Sequence, residues 1–148
     1  MKALTLRQPW ASLVAIGAKR LETRAWPTRY RGALAIHAAK GWTLRDRAMC
    51  LQPPCAESLR LGLGIPVAAW DPGSLPRASV VAVCQLVDCL HVEQLPSLPD
   101  EPERSFGDYN GGRWIWRLAD VRRLAIPVPA RGALGLWEWT PPRGVVDP

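Results

Sequence analysis

Apolar and polar positions alternate along much of the chain, and the changes of period mark out its elements. Leu4 and Leu6 face one way within residues 3–6, a first strand. Trp10, Leu13, Val14 and Gly17 follow at i, i+3, i+4 and i+7, which predicts a short helix burying one stripe. Pro9 fits its first position, where a missing N–H costs nothing, and Gly17 suits its C-terminal end. Residues 20–24 read as a short charged extended stretch, followed by a loop with Trp26 and Pro27. Residues 32–38 alternate again, with Leu34 and Ile36 on one face. Residues 43–63 are helix-prone but interrupted by Pro53 and Pro54, so two short helices are expected. Pro66, Pro72, Gly73 and Pro76 mark a turn-rich connection. The β-branched run Val80, Val81, Val83 and Val87 places the clearest strand at residues 78–90.

Residues 91–112 form a long acidic loop, of a length that is either functional or poorly ordered. Strands are expected at 113–118 and 132–139. In each, two tryptophans at spacing two share a side, Trp114 with Trp116 and Trp137 with Trp139. RGAL occurs at Arg31–Leu34 and Arg131–Leu134, both read as Gly-led strand entries. The elements add up to one α+β domain, residues 1–140, a small mixed β-barrel of about six strands with flanking short helices. A tail, 141–148, is expected to fray. Helices and strands do not alternate regularly enough for a doubly wound sheet.

Composition narrows the function classes. In 148 residues, 48% are apolar and 22% charged, the balance of a soluble globule rather than of a disordered or fibrous chain. Fifteen prolines exclude a long-helix bundle. No apolar run approaches a membrane span, and Arg7 and Pro9 interrupt any signal-peptide core, so a cytoplasmic protein without a membrane partner is expected. Its four cysteines then read as reduced thiols. Cys50 and Cys55, and Cys84 and Cys89, with His37 and His91, lack the paired C-x-x-C knuckles of a zinc site, and neither metal nor cofactor is expected. The net charge is +6, unevenly spread. The first 50 residues carry ten basic side chains against Glu22 and Asp46, the remaining 98 carry nine against eleven acidic. That asymmetry points to a polyanionic partner, nucleic acid before membrane surface.

The densest polar grouping is Gly17-Ala-Lys19-Arg20-Leu-Glu22-Thr-Arg24, directly after the helix that starts Gln8-Pro9-Trp10. Three cations surround one carboxylate. Glu22 is thereby a poor general acid and a good holder of Lys19 or Arg24, with other donors left for a phosphate. On a strand Glu22 and Arg24 share a face; Lys19 joins them only from a turn or bulge. Lysine is rare here, at Lys2, Lys19 and Lys40 against sixteen arginines, so a lysine inside the motif is a candidate for a compact or titratable amine.

MKALTLRQPWASLVAIGAKRLETRAW and GALAIHAAKGW closely resemble the opening of ASCH domains, the activating-signal-cointegrator homology family. VVAVCQLVDC, FGDYNGGRWIWRL and GALGLWEW resemble the rest of that domain. The resemblance covers nearly the whole chain and is carried most specifically by GxKxxExR (Gly17, Lys19, Glu22, Arg24) after a QPW helix. It implies a PUA-like fold, a β-barrel with helices around it and a cleft lined by the motif. It also implies binding of RNA or DNA, RNA ahead of DNA. Some members are enzymes, including ribonucleases and amidohydrolases that deacetylate a modified cytidine. The hydrolase branch uses a Lys followed three residues later by a Thr nucleophile. Here Lys19 is followed by Glu22, and a carboxylate does not replace a hydroxyl as acyl acceptor. Thr23 is adjacent but on a strand points the other way. The variant resembles the coactivator branch more closely.

Three classes of function follow, the third being a protein-interaction module whose basic face meets an acidic partner. The first is a nucleic-acid-binding module. Lys19, Arg20, Arg24, Arg29 and Arg31 neutralise phosphates, Glu22 orients them, and Trp26 and Tyr109 stack on bases. Gln8 belongs to this set, as does Ser12, either a phosphate donor or a surface helical serine. Tyr109 is equally readable as a loop anchor. The second is an enzyme acting on RNA or a modified nucleoside, with Lys19 and Glu22 catalytic. His37 reads as a core histidine, and Trp10, Trp137 and Trp139 as core tryptophans.

Overall fold

The computed structural model describes residues 1–146. Six strands form one sheet in the order β2-β5-β4-β3-β1-β6. They are β1 (Lys2–Leu6), β2 (Leu21–Arg24), β3 (Gly32–Ala38), β4 (Ser79–His91), β5 (Trp114–Pro129) and β6 (Leu136–Glu138). β1 and β3 pair in parallel, every other pair antiparallel. Three register shifts along β4 and β5 let these long strands bend. The sheet curls into a half-barrel with β2 and β6 as its two edges, the expected α+β arrangement of six strands and short helices.

Three short helices cover it: α1 (Trp10–Ala15), α2 (Leu44–Met49) and α3 (Cys55–Leu63). The side-chain period of two sends neighbouring residues to opposite faces of the sheet. Leu4, Leu6, Leu34, Ile36, Val81 and Trp116 pack on one side with Ala11 and Val14 of α1. Ala3, Ala35, Val80 and Val83 pack on the other with Leu124 and Trp139. A third cluster (Leu13, Cys50, Cys55, Leu59, Leu75 and Phe106) joins the helices to the loop after β4. Among the described residues no helix is long and apolar enough to cross a membrane.

Several expectations change here. The strand expected to stop at Leu118 continues to Pro129, because Asp120 takes a left-handed conformation (φ +51°) that lets the strand kink and go on. β6 is only three residues long, and Gly132–Gly135 precede it as irregular chain, so only the first RGAL enters a strand. Residues 141–146 do not all fray: Val145 and Val146 pack on the Trp139 cluster, while residues 147–148 of the expected tail lie outside the described residues. Trp116 is the fully buried tryptophan, whereas Trp10 and Trp137 are only partly covered.

Candidate functional site

Gln8 begins the site by organising α1. Pro9 offers no side-chain cap, so the orphan N–H of Ser12 donates to Gln8 Oε1 at 3.0 Å. Gln8 Nε2 donates to Ser12 Oγ (2.8 Å) and to the Pro76 carbonyl (2.6 Å). Both side chains are buried and mutually satisfied. They brace the helix start, and neither lines the cleft formed by Glu22 and Arg24.

Gly17, at φ +80°, ends α1, and the amides of Ala18 and Lys19 both donate to the Leu13 carbonyl. That turn swings the Lys19 side chain inward. Lys19 does reach Glu22 from outside the strand, with Nζ 3.7 Å from Oε1. It is fully enclosed, however, donating to the carbonyls of Leu21 (2.5 Å) and Phe106 (2.8 Å). Burial pulls its pKa below the ordinary lysine range, while the Glu22 and Glu103 carboxylates pull it back. Its amine ties the 103–107 turn to the motif and lies behind the surface at which the sequence reading expects a phosphate. Glu103 Oε1 completes that tie by accepting from the amides of Arg20 (2.8 Å) and Leu21 (2.6 Å).

In front of this buried layer lies a cleft of about 540 Å³. Glu22 and Thr23 of β2 line it together, Glu22 with only 6% exposed. The Thr23 hydroxyl accepts from the Asp108 amide (2.9 Å). Arg24, Arg7 and Arg113 supply the cations. Arg24 stands 3.9 Å from Glu22 and over the Trp26 ring. Arg7 pairs with Asp46 at 3.0 Å, and Asp46 is itself locked by the capping box with Thr43 that starts α2. Arg113 donates to the Thr23 carbonyl (3.0 Å) and lies 3.6 Å from Asp108. Trp10, Phe106 and Met49 provide apolar wall. Each guanidinium is thus aimed by a carboxylate or carbonyl and keeps further donors, the arrangement that binds phosphate or carboxylate. Glu22 adds an acceptor for a ligand hydroxyl or amine.

The remaining expected residues scatter. Arg20 is exposed and lines a separate hollow beside Gly17 and Glu101. Arg29 is exposed on the β2–β3 loop. Arg31 braces that loop, donating to the Thr28 and Tyr30 carbonyls and lying 3.8 Å from Asp88. Trp26 is half-buried edge-on against Trp116, with ring centroids 4.8 Å apart, and accepts through its carbonyl from Trp116 Nε1. Tyr109 packs behind the wall: a Cβ on Gly107 would meet its ring at 2.8 Å. Its hydroxyl is enclosed without a partner, and burial followed by the charges of Glu103 and Glu22 pushes its pKa up. This packing fits the loop-anchor reading of Tyr109. Sequence reading does not single out Arg7 or Arg113 and takes Trp10 as core, yet all three line the cleft. Arg7 does sit one residue before the QPW segment, a signal available in the sequence; Arg113 gave none, being far from the motif and brought in by β5.

The fold and this cleft define a small α+β half-barrel domain with an arginine-lined site at its motif. The ASCH domain model matches residues 4–128, and the chain belongs to the ASCH domain family. It is 29% identical over 139 residues to activating signal cointegrator 1 of Mus musculus and 28% identical to that of Homo sapiens, each alignment covering 91% of this chain. The chain spans 22% of the length of these curated relatives. A crystal structure of a mutant of ZmASCH, from Zymomonas mobilis, aligns over 86% of this chain and 74% of its own with TM-score 0.46 and 16% identity.

Proposed function

We propose that the domain binds nucleic acid, RNA ahead of DNA, through the cleft in front of Glu22. The observation that supports this most is the convergence of Arg7, Arg24 and Arg113 on one hollow with a nearly buried carboxylate at its wall. Three guanidinium forks suit backbone phosphates, and Glu22 suits a ribose hydroxyl or an exocyclic amine. Trp10 offers an aromatic face in the same hollow, with Arg7 5.6 Å from its ring centre. Lys19 serves this reading indirectly, by holding the turn that carries Phe106 and Gly107. The alternative, an enzyme acting on RNA or a modified nucleoside with Lys19 as general base or electrostatic stabiliser, needs an amine close to the substrate, and this amine is enclosed.

The test is a titration of labelled oligouridylate followed by fluorescence anisotropy across a range of KCl. Binding weakens steeply with salt, and Arg24→Ala or Arg113→Ala lowers the log–log slope by about 0.7 for each phosphate that is no longer neutralised. Unchanged affinity and slope in both variants would overturn the reading.

A further inference from the structure

A second hollow, of about 990 Å³, opens on the other side of Thr5, the residue that lines both. Its walls are the end of β3 with Ala39 and Lys40, then Ala78, and the segment 129–134. Arg131, Gly132 and Leu134 lie beyond the stretch that the family model matches.

This wall is built, not incidental. Trp137 Nε1 donates to Thr5 Oγ1 (3.0 Å), which lies 3.2 Å from His37 Nδ1; His37 Nε2 lies 2.7 Å from the Ala130 carbonyl. A carbonyl only accepts, so the partners assign the proton to Nε2, leaving Nδ1 to accept from the Thr5 hydroxyl. The neutral ring bridges β1, β3 and the segment after β5. Burial, which lowers the His37 pKa, agrees with that assignment. Gly132 lets the backbone lie against this chain of bonds, since a Cβ there would stand 2.7 Å from His37 Cε1 and 2.8 Å from Thr5 Oγ1.

The chemistry of the hollow differs from that of the cleft. Among the described residues no carboxylate lines it. Lys40 and Arg131 are exposed, and among the described residues neither side chain has an ion pair or hydrogen bond. Between them the lining is apolar (Ala39, Ala78, Pro129, Ala130), and Leu134 stands at the rim 98% exposed. Two unpartnered cations flanking an apolar floor match a planar base between two phosphates.

We propose that this hollow receives the neighbouring nucleotide of the strand held in the cleft, its base against Pro129 and Leu134 and its flanking phosphates on Lys40 and Arg131. The proposal rests on the reading of the cleft as a nucleic-acid site. Thr5 is the saddle over which the strand passes.

The 148-residue chain is titrated with fluorescein-labelled hexauridylate, and in parallel with hexathymidylate, over a range of KCl. Lys40→Ala/Arg131→Ala, two exposed positions whose loss leaves the thermal melt unchanged, is expected to lower the salt slope by about 1.4. Leu134→Ser is expected to weaken binding severalfold at constant slope. The doubly substituted cleft, Arg24→Ala/Arg113→Ala, gives the comparison. If the cleft variant loses slope and Lys40→Ala/Arg131→Ala does not, this proposal is overturned and the cleft reading stands. If only Lys40→Ala/Arg131→Ala loses slope, the cleft reading and the continuous track both fail. Absence of binding to either oligomer overturns both. Loss of slope in both variants supports the track, and the difference between the two oligomers reports whether the 2′-hydroxyl is read.

Discussion

Thr5 separates two hollows that handle charge in opposite ways. In the cleft, Arg7, Arg24 and Arg113 are each held by a carboxylate or a carbonyl, and behind them Lys19 is buried on Glu22 and two backbone oxygens. In the larger hollow, among the described residues, Lys40 and Arg131 have no side-chain partner and no carboxylate lines the apolar floor beside them. A held cation has lost side-chain entropy before the ligand arrives and presents a fixed direction; a free one is ordered only on binding. The first arrangement favours recognition of one geometry, the second a general attraction to phosphate. The cations therefore differ in their stability consequences: buried, paired Lys19 is structural, and exposed Lys40 and Arg131 are not.

That contrast breaks most sharply at Lys19. Lys19→Met leaves Glu22 without its buried partner and the Leu21 and Phe106 carbonyls without a donor, and is expected to cost ~3–5 kcal/mol in urea unfolding. Lys40→Met is expected to stay within ~0.5 kcal/mol. Equal losses for the two would erase the distinction. Glu22→Gln follows, with an expected loss of ~1–3 kcal/mol, because it leaves the enclosed ammonium facing a neutral amide. A weaker salt slope in this variant would accompany the stability loss, since Arg24 loses its anchor.

Acid acts on the shared saddle. The folded pKa of His37 lies below its unfolded value near 6.5, so between the two the unfolded chain binds more protons than the folded one. The neutral ring's contribution is complete above about pH 6.5 and is lost as pH falls below it. Chemical denaturation at pH 7 and pH 5 is expected to show a drop in stability that His37→Gln lacks; a drop of the same size in the variant assigns it to other groups. The smallest effect separates the two hollows by fork geometry. Arg113→Lys breaks a held guanidinium and is expected to weaken oligouridylate binding severalfold, whereas Arg131→Lys keeps the free charge and leaves binding unchanged. Matching affinities for the two variants would remove the difference in how the hollows use their cations.

Local pattern was enough for most elements. Large aliphatic residues at spacing two located β1 and β3, since side chains at i and i+2 share a face, and the valine run located β4, as a strand packed on both faces requires. The pattern failed where chain geometry overrode it. Asp120, Arg122 and Arg123 look like a strand's end, yet β5 kinks at Asp120 and continues. Residues 132–135 look like a strand's start, yet close packing of Gly132 on His37 takes them out of the sheet. For the cleft, the strand spacing in GxKxxExR put Glu22 and Arg24 on one face, and both line the same hollow. That spacing could not tell which side of the motif is covered.

What the residues alone determined is the family, the positively charged first third and the joining of Lys19 to Glu22 from a turn, since these follow from composition and from bonds between near neighbours. What tertiary structure decided is which of those groups meets solvent. The carbonyl that encloses Lys19 belongs to Phe106, 87 residues away, and the guanidinium that replaces it in the cleft belongs to Arg113, 90 residues from the Thr23 carbonyl that holds it. Spacing along a strand orients a side chain, but burial depends on what distant chain is laid over it, and no local period encodes that.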